Sequence, residues 1–64
     1  MFISIRDLKN TQVINPTFTV EERDIARVQR LIQEGQSSIN IPAAKLYYFA
    51  LAAQIAFDRV YPRA

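Results

Sequence analysis

KLYYFALAAQIAF, residues 45–57, carries one charge, at Lys45, and one amide, at Gln54. Drawn as a helix at about 100° per residue, its apolar side chains and their neighbours fall on two nearly opposite faces. The first face is Leu46, Phe49, Ala50, Ala53, Phe57 and Val60, and the second face is Ala44, Tyr48, Leu51 and Ile55. A helix that is apolar nearly all round must be covered on more than one side. What covers the second face is therefore the main question that the sequence raises.

This helix is predicted to run from about residue 41 to 61. Asn40 is a suitable N-cap, Pro42 is tolerated in a first turn, and Pro62 ends the helix. A second, amphipathic helix is predicted upstream at about 20–34. Thr19 and Glu22 have the spacing of a capping box, and Gly35 supplies a left-handed stop.

The upstream helix has one apolar side and one charged side. Its apolar side is Val20, Ile25, Val28, Leu31 and Ile32, and its charged side is Arg23, Arg27, Arg30 and Glu34. Residues 1–19 have a different character, because FISI and VINPTFTV favour extended structure and Pro16 excludes a central strand. The prediction is a mainly α single domain, 1–64, in which an extended N-terminal arm or short strand precedes an αα-hairpin.

Three kinds of cover are conceivable for the second face: a membrane, the N-terminal arm and a second copy of the chain. A membrane span is disfavoured, because residues 41–57 are too short and include Lys45 and Gln54, whereas a span needs about 20 apolar residues. The arm could cover the face through Phe2, Ile3, Ile5 and Phe18. A second copy is favoured, since so small a chain without Cys or His lacks disulfide and zinc stabilisation. The hypothesis is a homodimeric four-helix bundle joined through Ala44, Tyr48, Leu51 and Ile55.

The residue types argue against an enzyme. Without His and Cys, the usual general base and thiolate nucleophile are missing, and a single Gly excludes a glycine-rich phosphate loop. The carboxylates Glu21, Glu22 and Asp24 fit a helix N-terminus. We therefore expect no catalytic residues, no cofactor, no metal and no small-molecule substrate. The first residues lack the basic and apolar regions of a secretory signal, which favours a cytoplasmic protein.

Function is accordingly sought on surfaces. The candidate partner-binding residues are Arg23, Arg27 and Arg30, together with Tyr47 and Arg6, because arginine and tyrosine are enriched in interface hot spots. The leading hypothesis is a protein that binds a larger protein and regulates or inhibits it. Small bacterial and phage proteins often work in this way, which is an expectation from size and class.

A second hypothesis is a DNA-binding repressor. The order of a strand-like stretch, an amphipathic helix, a glycine and an apolar helix, from about Val13 to Phe57, resembles the ribbon-helix-helix repressors. That resemblance implies a dimer whose paired strands enter the major groove, with Thr17 and Thr19 as the base-contacting residues. Pro16 within the ribbon and the long connector QSSINIP depart from the pattern of that family.

Overall fold

The computed structural model describes residues 1–63 and shows a mainly helical chain with a small two-stranded sheet. Its elements are strand β1 (Phe2–Ser4), helices α1 (Ile5–Asn10) and α2 (Glu22–Gln33), strand β2 (Ser38–Asn40), a 3-10 turn (Ala43–Lys45) and helix α3 (Leu46–Val60). Both α1 and α2 pack against α3. The prediction of a mainly α chain is thus confirmed, whereas the element order is richer than an arm followed by a helical hairpin.

The two strands join the first residues to the connector between α2 and α3. They are antiparallel, with Ile3 opposite Ile39, and the ladder is extended by the Ile5 amide, which donates to the Ser37 carbonyl at 2.9 Å. Because side chains alternate across a strand, Ile39 points into the core while Phe2 remains 77% exposed. The strand option for the first residues is confirmed at Phe2–Ser4, and the connector supplies its partner.

Helix α1 replaces the middle of the predicted extended arm. Ser4 caps it, since its Oγ accepts the Asp7 amide hydrogen at 3.0 Å, and Ile5 and Leu8 are buried one turn apart. Leu8 has no exposed surface. The prediction of an extended arm is therefore wrong over Ile5–Asn10. Six residues with one buried side are enough to form a helix here, because α1 packs against α3.

Helix α2 begins and ends by different means. Its N-cap is Glu21, which makes no side-chain cap, so the predicted capping box of Thr19 and Glu22 does not form. At the other end, Gly35 adopts φ 76° and the amide of Gln36 donates to the Leu31 carbonyl at 3.0 Å. This is the Schellman arrangement that glycine favours. The left-handed stop at Gly35 is confirmed.

Helix α3 begins later than predicted, at Leu46, after the 3-10 turn. Asn40 does not cap it, because Asn40 lies in β2. Its buried residues are Phe49, Ala50, Ala52, Ala53 and Ala56, which include the middle of the predicted first face. The four alanines allow α1 and α2 to approach the α3 backbone closely. The core forms between the three helices and the inner side of the sheet.

Residues 11–21, here called the strap, connect α1 to α2 without regular secondary structure. The strap is fixed to α3 at both ends, since Gln54 donates to the Thr11 carbonyl at 2.9 Å and the Glu21 amide donates to the Tyr48 hydroxyl at 3.0 Å. Between these points the Phe18 ring lies 5.7 Å from the ring of Tyr48. The β-favouring stretch VINPTFTV is therefore not a strand here, and it partly covers the second face of α3.

Candidate functional site

The outer side of α2 presents the three arginines predicted from the sequence. Arg23, Arg27 and Arg30, here called the arginine stripe, are exposed, while Ile25 and Val28 on the opposite side are buried. Spacings of three and four residues place the stripe on one side of the helix. The amphipathic pattern therefore positions three guanidinium groups on a rigid element and directs them away from the core.

The arginines of the stripe differ in their partners. Arg23 pairs with Glu21 at 2.8 Å, and both side chains are mostly exposed. Within residues 1–63, neither Arg27 nor Arg30 lies within 4.0 Å of a carboxylate, so Arg30 and Glu34 form no ion pair although they are four residues apart. Two guanidinium groups are thus left with their hydrogen-bond donors available.

A shallow groove accompanies the stripe. It has a volume of about 440 Å³ and is lined by the arginine stripe, Ala26, Leu31 and Glu34. Ala26 is exposed and Leu31 is half-buried, so apolar surface lies beside the charges. Such a mixture of arginine and apolar surface is typical of protein–protein interfaces rather than of catalytic pockets.

The other predicted partner-binding residues lie elsewhere. Tyr47 is 58% exposed and lines a different depression, together with residues 12–18 of the strap. Arg6 lies on α1 and lines two further depressions beside Phe57 and Tyr61. The five predicted residues are therefore divided among three surfaces, and only the arginine stripe forms a continuous one.

The residues predicted for self-association are unequally covered. Ala44 is exposed in the 3-10 turn, whereas Tyr48, Leu51 and Ile55 are half-buried. Tyr48 and Ile55 pack against the core cluster of the described chain, and Leu51 does not. Of the four residues, Ala44 is thus the exposed one, and Leu51 is partly buried but outside the core cluster.

Tyr48 links three parts of the chain through its hydroxyl group. The hydroxyl donates to Asp24 Oδ2 at 2.5 Å and accepts the Glu21 amide hydrogen. The hydrogen bond to Asp24 is the main reason why the pKa of Tyr48 is raised, while the hydrogen bond from Glu21 acts in the opposite direction. Tyr48 therefore holds the end of the strap and the start of α2 against α3.

A second polar link joins the start of α2 to the end of α3. Arg59 forms a two-pronged ion pair with Glu22, in which Nη2 donates to Oε1 at 2.7 Å. The hydrogen bond from Arg59 lowers the pKa of the Glu22 carboxyl, and the same contact raises the pKa of Arg59. Neither residue was predicted to pair, because their contact depends on how α2 crosses α3.

The sequence alone also did not reveal a group of aromatic and basic side chains around α1. Arg6 and Lys9 of α1 lie beside Phe57, Tyr61 and Arg63, and together these residues line one depression with Asp58. Arg6 and Lys9 are three residues apart, a helical spacing, and Ser4-x-x-Asp7 matches a capping signal. Those two signals could have indicated α1 and its basic side.

Two kinds of feature are absent from residues 1–63. No three acidic side chains there come close enough to hold a metal ion, and no helix in that range has the length and apolar character needed to cross a bilayer. Comparison of the chain with protein-family models, with curated proteins and with solved structures found no match.

Proposed function

We propose that the protein is a non-enzymatic binding protein that docks on an acidic surface of a larger protein through the arginine stripe and thereby regulates or inhibits it. The carrying observation is that Arg27 and Arg30 are exposed on a rigid helix and have no carboxylate partner within residues 1–63. A planar guanidinium group can bind a carboxylate through two parallel hydrogen bonds, which favours acidic partners of defined geometry.

Two observations favour a protein partner over duplex DNA. The first turn of α2 carries Glu22 and Asp24, with Glu21 just before it, and these carboxylates would repel phosphates at the end of the helix that usually enters the major groove. The strand of a ribbon-helix-helix protein has no counterpart in the strap, because residues 11–21 form no strand. The one sheet of residues 1–63 pairs β1 with β2 of the same chain. Nucleic-acid binding by α2 is therefore the second candidate and an outcome of the test.

The experiment uses a photo-reactive amino acid at Ala26, which is exposed within the groove beside the stripe. The same amino acid at Ala43, an exposed residue of the 3-10 turn, is the matched control. We expect an adduct with an acidic protein from position 26 only, and we expect Arg27→Ala combined with Arg30→Ala to abolish it. Identical adducts from both positions, or an adduct that survives the arginine changes, would contradict the proposal. Recovery of nucleic acid instead of protein would select the DNA candidate.

The proposal includes a homodimer built as a four-helix bundle from α2 and α3 of two copies. Leu51 supports it, since this leucine is only partly buried on α3 and lies outside the core cluster formed by residues 1–63. Ala44 is exposed in the 3-10 turn before α3, and its small side chain allows close approach. In this arrangement the arginine stripes lie on the outside of the bundle and remain available to partners.

A further inference from the structure

The end of α3 and the outer side of α1 together form a surface with a different chemistry. The aromatic–basic cluster consists of Arg6 and Lys9 from α1, Phe57 from α3, and Tyr61 and Arg63 from the residues that follow α3. Because α1 packs against α3, residues about 50 positions apart in the sequence share one surface. The cluster is separate from the arginine stripe, which lines a different groove.

The two rings of the cluster are held in a fixed arrangement. Their centroids are 6.0 Å apart, and the ring planes are tilted by 33° relative to each other. Lys9 Nζ lies over one face of the Phe57 ring, 5.1 Å from its centroid. This cation–π contact restrains the ammonium group. Tyr61 remains 63% exposed. The cluster therefore offers an exposed tyrosine ring beside a positioned ammonium group.

Two depressions meet at these residues. One, of about 490 Å³, lies toward β1 and the end of α2, and the other, of about 350 Å³, contains Lys9 and Arg63. Both are lined by Arg6, Phe57 and Tyr61. Asp58 is the one acidic residue among those lining either depression, so three cations and one carboxylate give a local charge of +2. The surface thus spans both depressions and is electropositive.

We propose that the aromatic–basic cluster binds a short segment of single-stranded nucleic acid. One base stacks on the exposed face of Tyr61, while Arg6, Lys9 and Arg63 contact the flanking phosphates. Proteins that bind single strands combine an electropositive groove with exposed rings in this way, and each stacked base contributes substantially to affinity. A duplex fits less well, because its base faces are already stacked. An acidic peptide would use the cations but would leave the Tyr61 ring without a partner.

The test measures fluorescence anisotropy of a labelled oligothymidylate of about ten nucleotides, a length within the usual site sizes. We expect binding at low salt, with a log–log salt slope of about −2 from three phosphate contacts. Tyr61→Ala should weaken binding by about 5- to 150-fold, the range measured for loss of one stacked base, whereas Tyr61→Phe should retain it. Tyr47→Ala is the matched control, since Tyr47 is similarly exposed and lies outside the cluster.

Several outcomes would overturn this inference. They are an absence of binding at low salt, equal losses for Tyr61→Ala and Tyr47→Ala, and equal affinity for a duplex of the same length. Competition by polyglutamate as effective as that by the oligonucleotide would reassign the cluster to acidic proteins. Arg27→Ala should leave oligonucleotide binding unchanged, which separates this surface from the arginine stripe. Circular dichroism of each variant shows that a loss of binding is not a loss of fold.

Discussion

Gly35 controls the end of α2 through its backbone conformation alone. Its φ of 76° lies in the left-handed region, and a Cβ added there would meet nothing within 4 Å. We expect Gly35→Ala to lower the free energy of unfolding by about 1–2 kcal/mol, because an L-residue is strained in this region. Urea denaturation measures the loss. Gly35→Asn should lose less, since Asn tolerates this conformation, and equal stability of Gly and Ala would contradict the prediction.

The raised pKa of Tyr48 predicts an alkaline dependence of stability. The hydrogen bond to Asp24 favours the neutral hydroxyl in the folded state, so the contribution is complete below the ordinary pKa of about 10. As the pH rises from there through the folded pKa, the unfolded chain loses this proton first and the contribution disappears. Tyr48→Phe lacks the hydrogen bond at every pH, so its urea midpoint should be lower than that of the wild type at pH 7.

The difference between wild type and Tyr48→Phe should then shrink above about pH 10. The measurement is a series of urea denaturation curves from neutral to alkaline pH. Tyr47→Phe is the control, because Tyr47 is 58% exposed on the same helix and should show no comparable midpoint shift. A midpoint difference that is the same at all pH values would mean that the hydroxyl proton of Tyr48 is not linked to folding.

At the scale of elements, α1 is short yet belongs to the core. Leu8 is completely buried, and truncating a buried leucine costs about 2–5 kcal/mol. A chain of 64 residues has a total stability of about 3–10 kcal/mol. We therefore expect Leu8→Ala to lower the free energy of unfolding by about 2–5 kcal/mol in urea denaturation, a large part of the total stability.

The control for Leu8→Ala is Asn10→Ala, an exposed position on the same helix. Its effect should be near zero, because alanine favours a helix and no buried surface is lost. If Leu8→Ala instead costs less than about 1 kcal/mol, α1 must detach readily from α3 and contributes little to the fold.

Longer elements were predicted from the sequence more accurately than shorter ones. Helix α2 was placed within two residues of its observed ends, because 12 residues give a clear amphipathic period and Gly35 marks the stop. The strands have three residues each, and the pairing of Ile3 with Ile39 joins distant parts of the chain. This strand pairing depends on how the helices between the two strands pack, so no local sequence pattern predicts it.

At the scale of the whole molecule, the same distinction applies to the candidate surfaces. The arginine stripe belongs to one helix, so its periodicity predicted its exposed position. The aromatic–basic cluster joins Lys9 to Phe57 and Tyr61 across two helices. Its prediction would have required both α1 and its contact with α3. Surfaces within one element can thus be predicted from a sequence of this kind, and composite surfaces require the fold.

The proposed homodimer makes a prediction about mass. Light scattering should give the wild-type protein twice the 7.4 kDa mass of one chain, and it should give Leu51→Glu the mass of a single chain. The dimer should be lost because a buried carboxylate without a partner is costly in an apolar interface. The fold of each chain should be kept because Leu51 lies outside the core cluster formed by residues 1–63. The variant should therefore remain folded as a monomer. Asn10→Glu, at an exposed position of α1 outside the proposed bundle, should remain dimeric. A wild type that is monomeric across the concentration range, or a Leu51→Glu dimer, would show that the strap alone covers this face.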